Sequence, residues 1–152
     1  MNLFQPYQVG NLIMKNRFIR SATGDGTADE NGAITDATLA LYGALSKGGI
    51  GLIVTGHAFV SIHGRAHPDQ YGAHNDNMLP GLSKLAKLAH DNGSAICLQI
   101  SHAGTQTFIK DIAAPAISES LLVTGPHRVM SDAEIEAIID HFAAAAGRAR
   151  QV

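Results

Sequence analysis

Three short stretches of the chain are almost continuously apolar, and each is followed by a longer stretch with helical spacing. We predict strands over residues 17–22, 51–55 and 95–100. The second is short and nearly all apolar, which is typical of a strand buried on both faces of a parallel sheet. Upstream of them, Gly10-Asn11 separates two apolar stretches, and this pattern predicts a hairpin turn.

Apolar positions three and four residues apart predict three helices, within residues 35–48, 77–92 and 131–150. Glycines close the first two helices, as expected at helix C-termini. Ser131 followed by Glu134 is the sequence signature of a capping box at the start of the third helix. The predicted N-cap residues are Thr35 or Asp36, Asn77 and Ser131.

The predicted order of elements is a hairpin followed by three alternating strand and helix units. This order indicates an α/β fold with a parallel sheet and right-handed crossovers. Three such units are about three-eighths of a (β/α)8 barrel, which needs about 250 residues. We therefore expect residues 1–152 to form the N-terminal portion of a (β/α)8 barrel, with no second domain.

The composition is that of a folded protein with no strong charge bias. The 152 residues are 45% hydrophobic and 16% charged, with a net charge of −2, so neither disorder nor a nucleic-acid partner is expected. No apolar run is long enough to span a membrane and no signal peptide is visible, so we expect a cytoplasmic protein. Cys97 is the only cysteine, which excludes an internal disulfide, and we interpret it as a small core residue.

Side-chain alternation divides the third predicted strand into two unlike faces. Cys97 and Gln99 share one face, and the aliphatic residues of the strand share the other. The aliphatic face suits a layer of helices, which leaves Gln99 on the opposite side near the end of the strand. Active sites of barrels are built at that end. Gln99 is therefore either a ligand contact or an amide that satisfies buried backbone.

Four histidines lie in or near the polar loop predicted over residues 57–76, namely His57, His63, His67 and His74. Clustered histidines are candidate zinc ligands. Their spacings of 6, 4 and 7 residues match no compact ligand pattern on a regular element. We therefore expect no metal site, and we interpret the segment as a solvated loop.

Six segments carry a family resemblance in their order and spacing. They are Leu3-Phe4 with Pro6, Gly10-Asn11, Lys15-Asn16-Arg17-Phe18, Arg20-Ser21-Ala22-Thr23, Gly48-Gly49-Ile50-Gly51-Leu52-Ile53 and Gln99-Ile100-Ser101-His102-Ala103-Gly104. Together they resemble the old yellow enzyme family of FMN-dependent NAD(P)H:flavin oxidoreductases. Each segment alone is weak evidence, but the set covers nearly the whole chain.

The resemblance implies a (β/α)8 barrel that holds FMN at the C-terminal mouth. It also implies hydride transfer from NADH or NADPH through the flavin to a small-molecule substrate, an activated alkene. Gln99 would then hydrogen-bond the pyrimidine edge of the flavin, because an amide both donates and accepts. The catalytic residues remain unidentified. The implied cofactor-binding residues are Ser21, Ala22, Thr23, Gly24, His57 and Gln99.

The chain departs from the family pattern at three positions. Ala22 stands where many relatives have proline, and Thr105 stands where arginine is frequent. Gly26 occupies a position where relatives have tyrosine. His102 either holds its own loop by a hydrogen bond or contacts the cofactor, and the sequence does not decide between these roles.

A second hypothesis is that the chain is a catalytically inactive, truncated half-barrel. Three strand–helix units would leave an open sheet edge, which favours self-association, so a homo-oligomer is one expected form. On either hypothesis we expect the 152 residues alone not to oxidise NADPH with an enone. Such an open site would not exclude water from the reaction.

Overall fold

The computed structural model describes residues 2–108, 113–114 and 128–152. The described part begins with an antiparallel hairpin of two strands, β1 (Tyr7–Val9) and β2 (Leu12–Met14). Gly10 makes the turn between them with a φ of 58°, a conformation that glycine adopts without strain. The predicted hairpin is therefore confirmed.

Three parallel strands form the central sheet: β3 (Ile19–Arg20), β4 (Leu52–Phe59) and β5 (Ala95–Ser101). They are adjacent in chain order, as predicted. β3 is shorter than the predicted strand at both ends: Arg17 donates its backbone N–H to the Leu3 carbonyl, and the pairing with β4 stops at Arg20. β4 is longer than predicted, since its last three residues continue to pair with β5.

Three helices accompany the sheet: α1 (Asp36–Lys47), α2 (Leu79–Asp91) and α3 (Asp132–Gln151). Thr35 caps α1, and the Ser131–Glu134 capping box begins α3, as predicted. The prediction that Asn77 caps the second helix is wrong. Asn75 instead accepts the Asn77 N–H and opens a 3-10 turn that leads into α2. Two short strands, β6 (Ala113–Ala114) and β7 (Arg128–Val129), pair in parallel.

The helices cover the aliphatic face of β5, as the alternation predicts. Ile96 packs with Tyr42 of α1 and Leu85 of α2, and further along the strand Ile100 packs with α3. The opposite face of the sheet is open in the described residues, and Cys97 is exposed there. The interpretation of Cys97 as a core residue is therefore wrong: it points away from the helix layer.

A bulge in β4 changes which side chains share that open face. Val54 pairs with Cys97 and His57 pairs with Gln99, so Thr55 and Gly56 together lie opposite Leu98. Simple alternation from Val54 would place His57 on the helix side of the sheet. With the extra residue, His57 instead shares the open face with Gln99.

Buried hydrogen bonds hold the bulge in place. The Gly56 N–H donates to the Tyr42 hydroxyl at 2.8 Å, and the Tyr71 hydroxyl donates to the Gly56 carbonyl at 2.9 Å. The Tyr42 hydroxyl in turn donates to Asp25 at 2.8 Å, and the two phenol oxygens lie 3.0 Å apart. Burial raises the pKa of both tyrosines, so both phenols stay neutral. We call Asp25, Tyr42, Gly56 and Tyr71 the tyrosine cluster.

No helix among the described residues is both long and apolar enough to cross a membrane. The described helices are instead amphipathic elements that lie against the sheet or against each other.

Gly56→Ala is expected to lower the free energy of unfolding by about 1–3 kcal/mol, because the bulge has no room for a methyl group. A Cβ at Gly56 would lie 2.8 Å from the Thr23 carbonyl oxygen and 3.0 Å from the Tyr71 hydroxyl. The matched control is Gly147→Ala in α3, where a Cβ meets nothing within 4 Å. That control should gain about 0.5–1 kcal/mol from helix propensity. Urea unfolding measures both, and equal stability of Gly56→Ala and wild type would contradict the account of the bulge.

Candidate functional site

A polar cavity of about 380 Å³ opens at the carboxyl ends of β3 and β4. Its wall consists of residues 24–26 after β3, Gly56 and His57 within β4, and four residues of the following loop. Side chains from both loops therefore converge at the end of the sheet where barrel active sites are built. The four loop residues are His67, Asp69, Gln70 and Tyr71.

Two of the six predicted cofactor-binding residues, Gly24 and His57, line this cavity. Gln99 is the cross-strand neighbour of His57 and is exposed on the same face. Residues 21–23 connect β3 to Gly24 outside the described helices and strands, with the Thr23 hydroxyl donating to the Ser21 carbonyl at 3.2 Å. The sequence-predicted residues are thus neighbours, although whether they bind a cofactor stays a prediction.

His57 is held by a loop residue that the sequence does not single out. Its Nδ1 lies 2.9 Å from the Gln70 side-chain nitrogen and 3.3 Å from the Ser101 hydroxyl. Burial lowers the pKa of His57, and the nearby His67 lowers it further, while Asp25 acts in the opposite direction. The imidazole is therefore neutral at pH 7.

Asp69 occupies the space that a side chain at position 26 would take. Gly26 has a φ of 59°, and a Cβ built there would lie 2.7 Å from an Asp69 carboxylate oxygen. The Ala28 N–H also donates to the Asp69 carbonyl at 3.0 Å, which joins the two loops. The space beside Gly26 is therefore taken by a carboxylate from the second loop. No sequence pattern signals this contact, because the two positions are far apart in the chain.

Arg65 joins the first loop, which lies between β3 and α1, to the second loop, which follows β4. Its buried guanidinium donates to the carbonyls of Asp29 and Glu30 in the first loop, at 3.1 and 2.8 Å. In the second loop it donates to the carbonyls of His67, at 3.0 Å, and Pro68. One arginine thus satisfies four backbone acceptors, and nothing in its sequence context distinguishes it from a surface arginine.

Two further histidines, His74 and His102, make structural contacts. His74 stacks on Phe59 with ring centroids 4.6 Å apart. The His102 Nδ1 accepts the Gly104 N–H at 3.1 Å, so His102 holds its own loop. In the described residues no three His, Cys, Asp or Glu side chains are placed to hold a metal ion. The prediction of a long solvated loop is wrong for its first residues, because His57 and the two residues after it belong to β4.

Comparison with known proteins places this fold in a class. The chain superposes on 2-naphthoyl-CoA reductase, in complex with 2-naphthoyl-CoA, with a TM-score of 0.89 and 30% identity over 99% of this chain and 26% of that one. It superposes on old yellow enzyme from Pichia sp. AKU4542 with a TM-score of 0.87 and 22% identity, over 99% of this chain and 43% of that one. The fold is therefore part of a (β/α)8 barrel of the old yellow enzyme type.

The sequence identifies the family. A family model described as NADH:flavin oxidoreductase / NADH oxidase matches residues 2–152, and the chain belongs to that family. An NADH oxidase from Thermoanaerobacter brockii is 33% identical over 98% of this chain, which corresponds to 24% of that protein. The chain thus spans about a quarter of this relative and less than half of the barrel enzymes it superposes on.

Arg65→Met is expected to loosen both loops while leaving the sheet intact. Burying carbonyls without donors costs about 1–3 kcal/mol each, so we expect a loss of about 3 kcal/mol in the free energy of unfolding. Hydrogen exchange should accelerate in residues 27–31 and 65–70 and stay slow in β4 and β5. Arg150→Met, at an exposed position of α3, is the matched control. Unchanged exchange in both loops would show that Arg65 does not fasten them.

Proposed function

We propose that this chain supplies part of an FMN-binding, NAD(P)H-dependent oxidoreductase of the ene-reductase type. The family assignment supports the general chemistry. The observation that carries the proposal is the exposed Gln99 amide beside His57 on the open face of the sheet. No described residue hydrogen-bonds that amide, so its donor and acceptor remain available to a ligand.

The residues around the cavity fit a flavin in their chemistry. Gln99 offers one acceptor and two donors, which match the alternating carbonyl and N–H groups of the pyrimidine edge. Residues 21–24 lie outside the described helices and strands, and a Cβ at Gly24 would lie 3.6 Å from the His57 ring, so the cavity wall there is backbone and imidazole. FMN would supply hydride transfer between NADH or NADPH and the substrate. The chain's own residues bind and orient the ring.

The proposed substrate is an alkene conjugated to an electron-withdrawing group. Conjugation makes the far carbon of such an alkene an acceptor for hydride, and the neighbouring carbon then takes a proton. Because one solved relative holds 2-naphthoyl-CoA, thioester-conjugated substrates belong in the test panel beside simple enones. That these 152 residues alone do not oxidise NADPH with an enone stays a prediction.

The alternative is a non-enzymatic chain that associates with copies of itself. The exposed apolar residues on the hairpin and β3 favour this function, since Ile13 is 68% exposed and Ile19 is 53% exposed. Size-exclusion chromatography with absorbance and light-scattering detection separates the two functions. A flavin absorbance that elutes with the chain supports the oxidoreductase, and colourless assemblies support the alternative.

Gln99→Leu is expected to weaken FMN binding roughly 5- to 150-fold, because the polar edge of the flavin loses its partner at a cost of about 1–3 kcal/mol. Because Gln99 is exposed, the variant should fold like the wild type, and far-UV circular dichroism checks this. Gln8→Leu, an exposed amide on the hairpin, is the matched control and should leave affinity unchanged. Flavin fluorescence quenching measures both affinities. If the two variants bind FMN equally well, Gln99 does not contact the flavin.

A further inference from the structure

The orientation of the Gln70 amide is determined by its neighbours. Gln70 is 5% exposed, and its side-chain oxygen accepts the Ala66 backbone N–H at 2.7 Å. A backbone N–H can only donate, so the oxygen of the amide must face it. The amide nitrogen is therefore turned toward His57, where it lies 2.9 Å from Nδ1 and 3.0 Å from the carbonyl oxygen.

This orientation selects one tautomer of His57. An amide nitrogen has only protons to offer, so a proton on Nδ1 would set two donors against each other at 2.9 Å. Nδ1 must therefore carry its lone pair, and the proton of the neutral ring resides on Nε2. The Ser101 hydroxyl, 3.3 Å from Nδ1, is compatible with this arrangement because a hydroxyl can donate.

The protonated nitrogen faces Gly24 at the cavity. A Cβ built on Gly24 would lie 3.6 Å from His57 Nε2, so the imidazole is in van der Waals contact with the position that a side chain at residue 24 would occupy. No described residue accepts a hydrogen bond from this nitrogen. The titratable groups that face the ring are His67, with ring centroids 6.1 Å apart, and Asp25.

We propose that Gln70 is a positioning residue that holds His57 as a neutral Nε2–H donor facing the cavity, and that this donor contacts the bound flavin. The second half rests on the proposed function. A donor beside the ring stabilises the negative charge that a flavin gains on reduction, and it therefore raises the reduction potential. Gln70 itself need not touch the flavin.

The tautomer can be measured on the full chain without flavin. In ¹⁵N-labelled protein, long-range ¹H–¹⁵N spectra at pH 7 should show His57 Nδ1 unprotonated and Nε2 protonated. Gln70→Glu keeps an acceptor for Ala66 but turns an acceptor toward Nδ1, so the pKa of His57 should rise by about 1–3 units. Gln8→Glu adds the same charge on the hairpin and should leave that pKa unchanged, and Ser101→Ala should leave the tautomer unchanged. A proton on Nδ1 in the wild type, or an unchanged pKa in Gln70→Glu, would overturn the proposal.

The flavin contact is tested by adding FMN to the same sample. The His57 Nε2 resonance should move strongly and Nδ1 only slightly. The potential of bound FMN should also be lower in Gln70→Leu, where the tautomer is no longer selected, than in wild type. If FMN binds and neither Nε2 nor the potential responds, the flavin contact is wrong. If FMN does not bind at all, the proposed function fails, and the spectra of the free chain still decide the role of Gln70.

Discussion

The candidate site depends on the hydrogen bonds that two buried tyrosines make to Gly56. Tyr42 accepts from the Gly56 N–H and Tyr71 donates to its carbonyl, so both backbone groups of the bulged residue are satisfied without the neighbouring strand. Without that compensation the Gly56 N–H would be buried without a partner, and β4 would favour regular pairing. Regular pairing would turn His57 toward the helices and away from Gln99.

The two loops above the sheet are equally interdependent. Small residues at positions 24 and 26 leave space at the end of β3, and His57 of β4 and Asp69 of the second loop fill part of it. Arg65 holds that loop against the first one through four carbonyls. The polar groups of the cavity therefore come from segments distant in the chain, and the packing beneath them fixes their positions.

Sequence patterns predict the elements that depend on neighbouring residues or on a regular spacing of hydrophobic positions. The three parallel strands, the hairpin turn at Gly10 and the caps at Thr35 and Ser131 are confirmed, because each depends on near neighbours or on a regular hydrophobic period. The cap prediction at α2 is wrong because the Asn75 side chain, two residues earlier, accepts the Asn77 N–H and begins a 3-10 turn. Alternation places Cys97 on the face of β5 away from the helices, but it does not indicate whether other residues cover that face, and in the described residues Cys97 is exposed.

The site itself was only partly predictable. Alternation predicts the position of Gln99 and the family resemblance implies His57, but no sequence period indicates that a bulge brings the two to one face. The partnership of His57 with Gln70 also depends on how a loop folds back on its strand.

A crystal structure of the chain grown with FMN tests the account most directly. We predict the polar edge of the flavin within hydrogen-bond distance of the Gln99 amide, with His57 on the same face of the sheet. A flavin bound elsewhere, or His57 turned toward the helices, would contradict it.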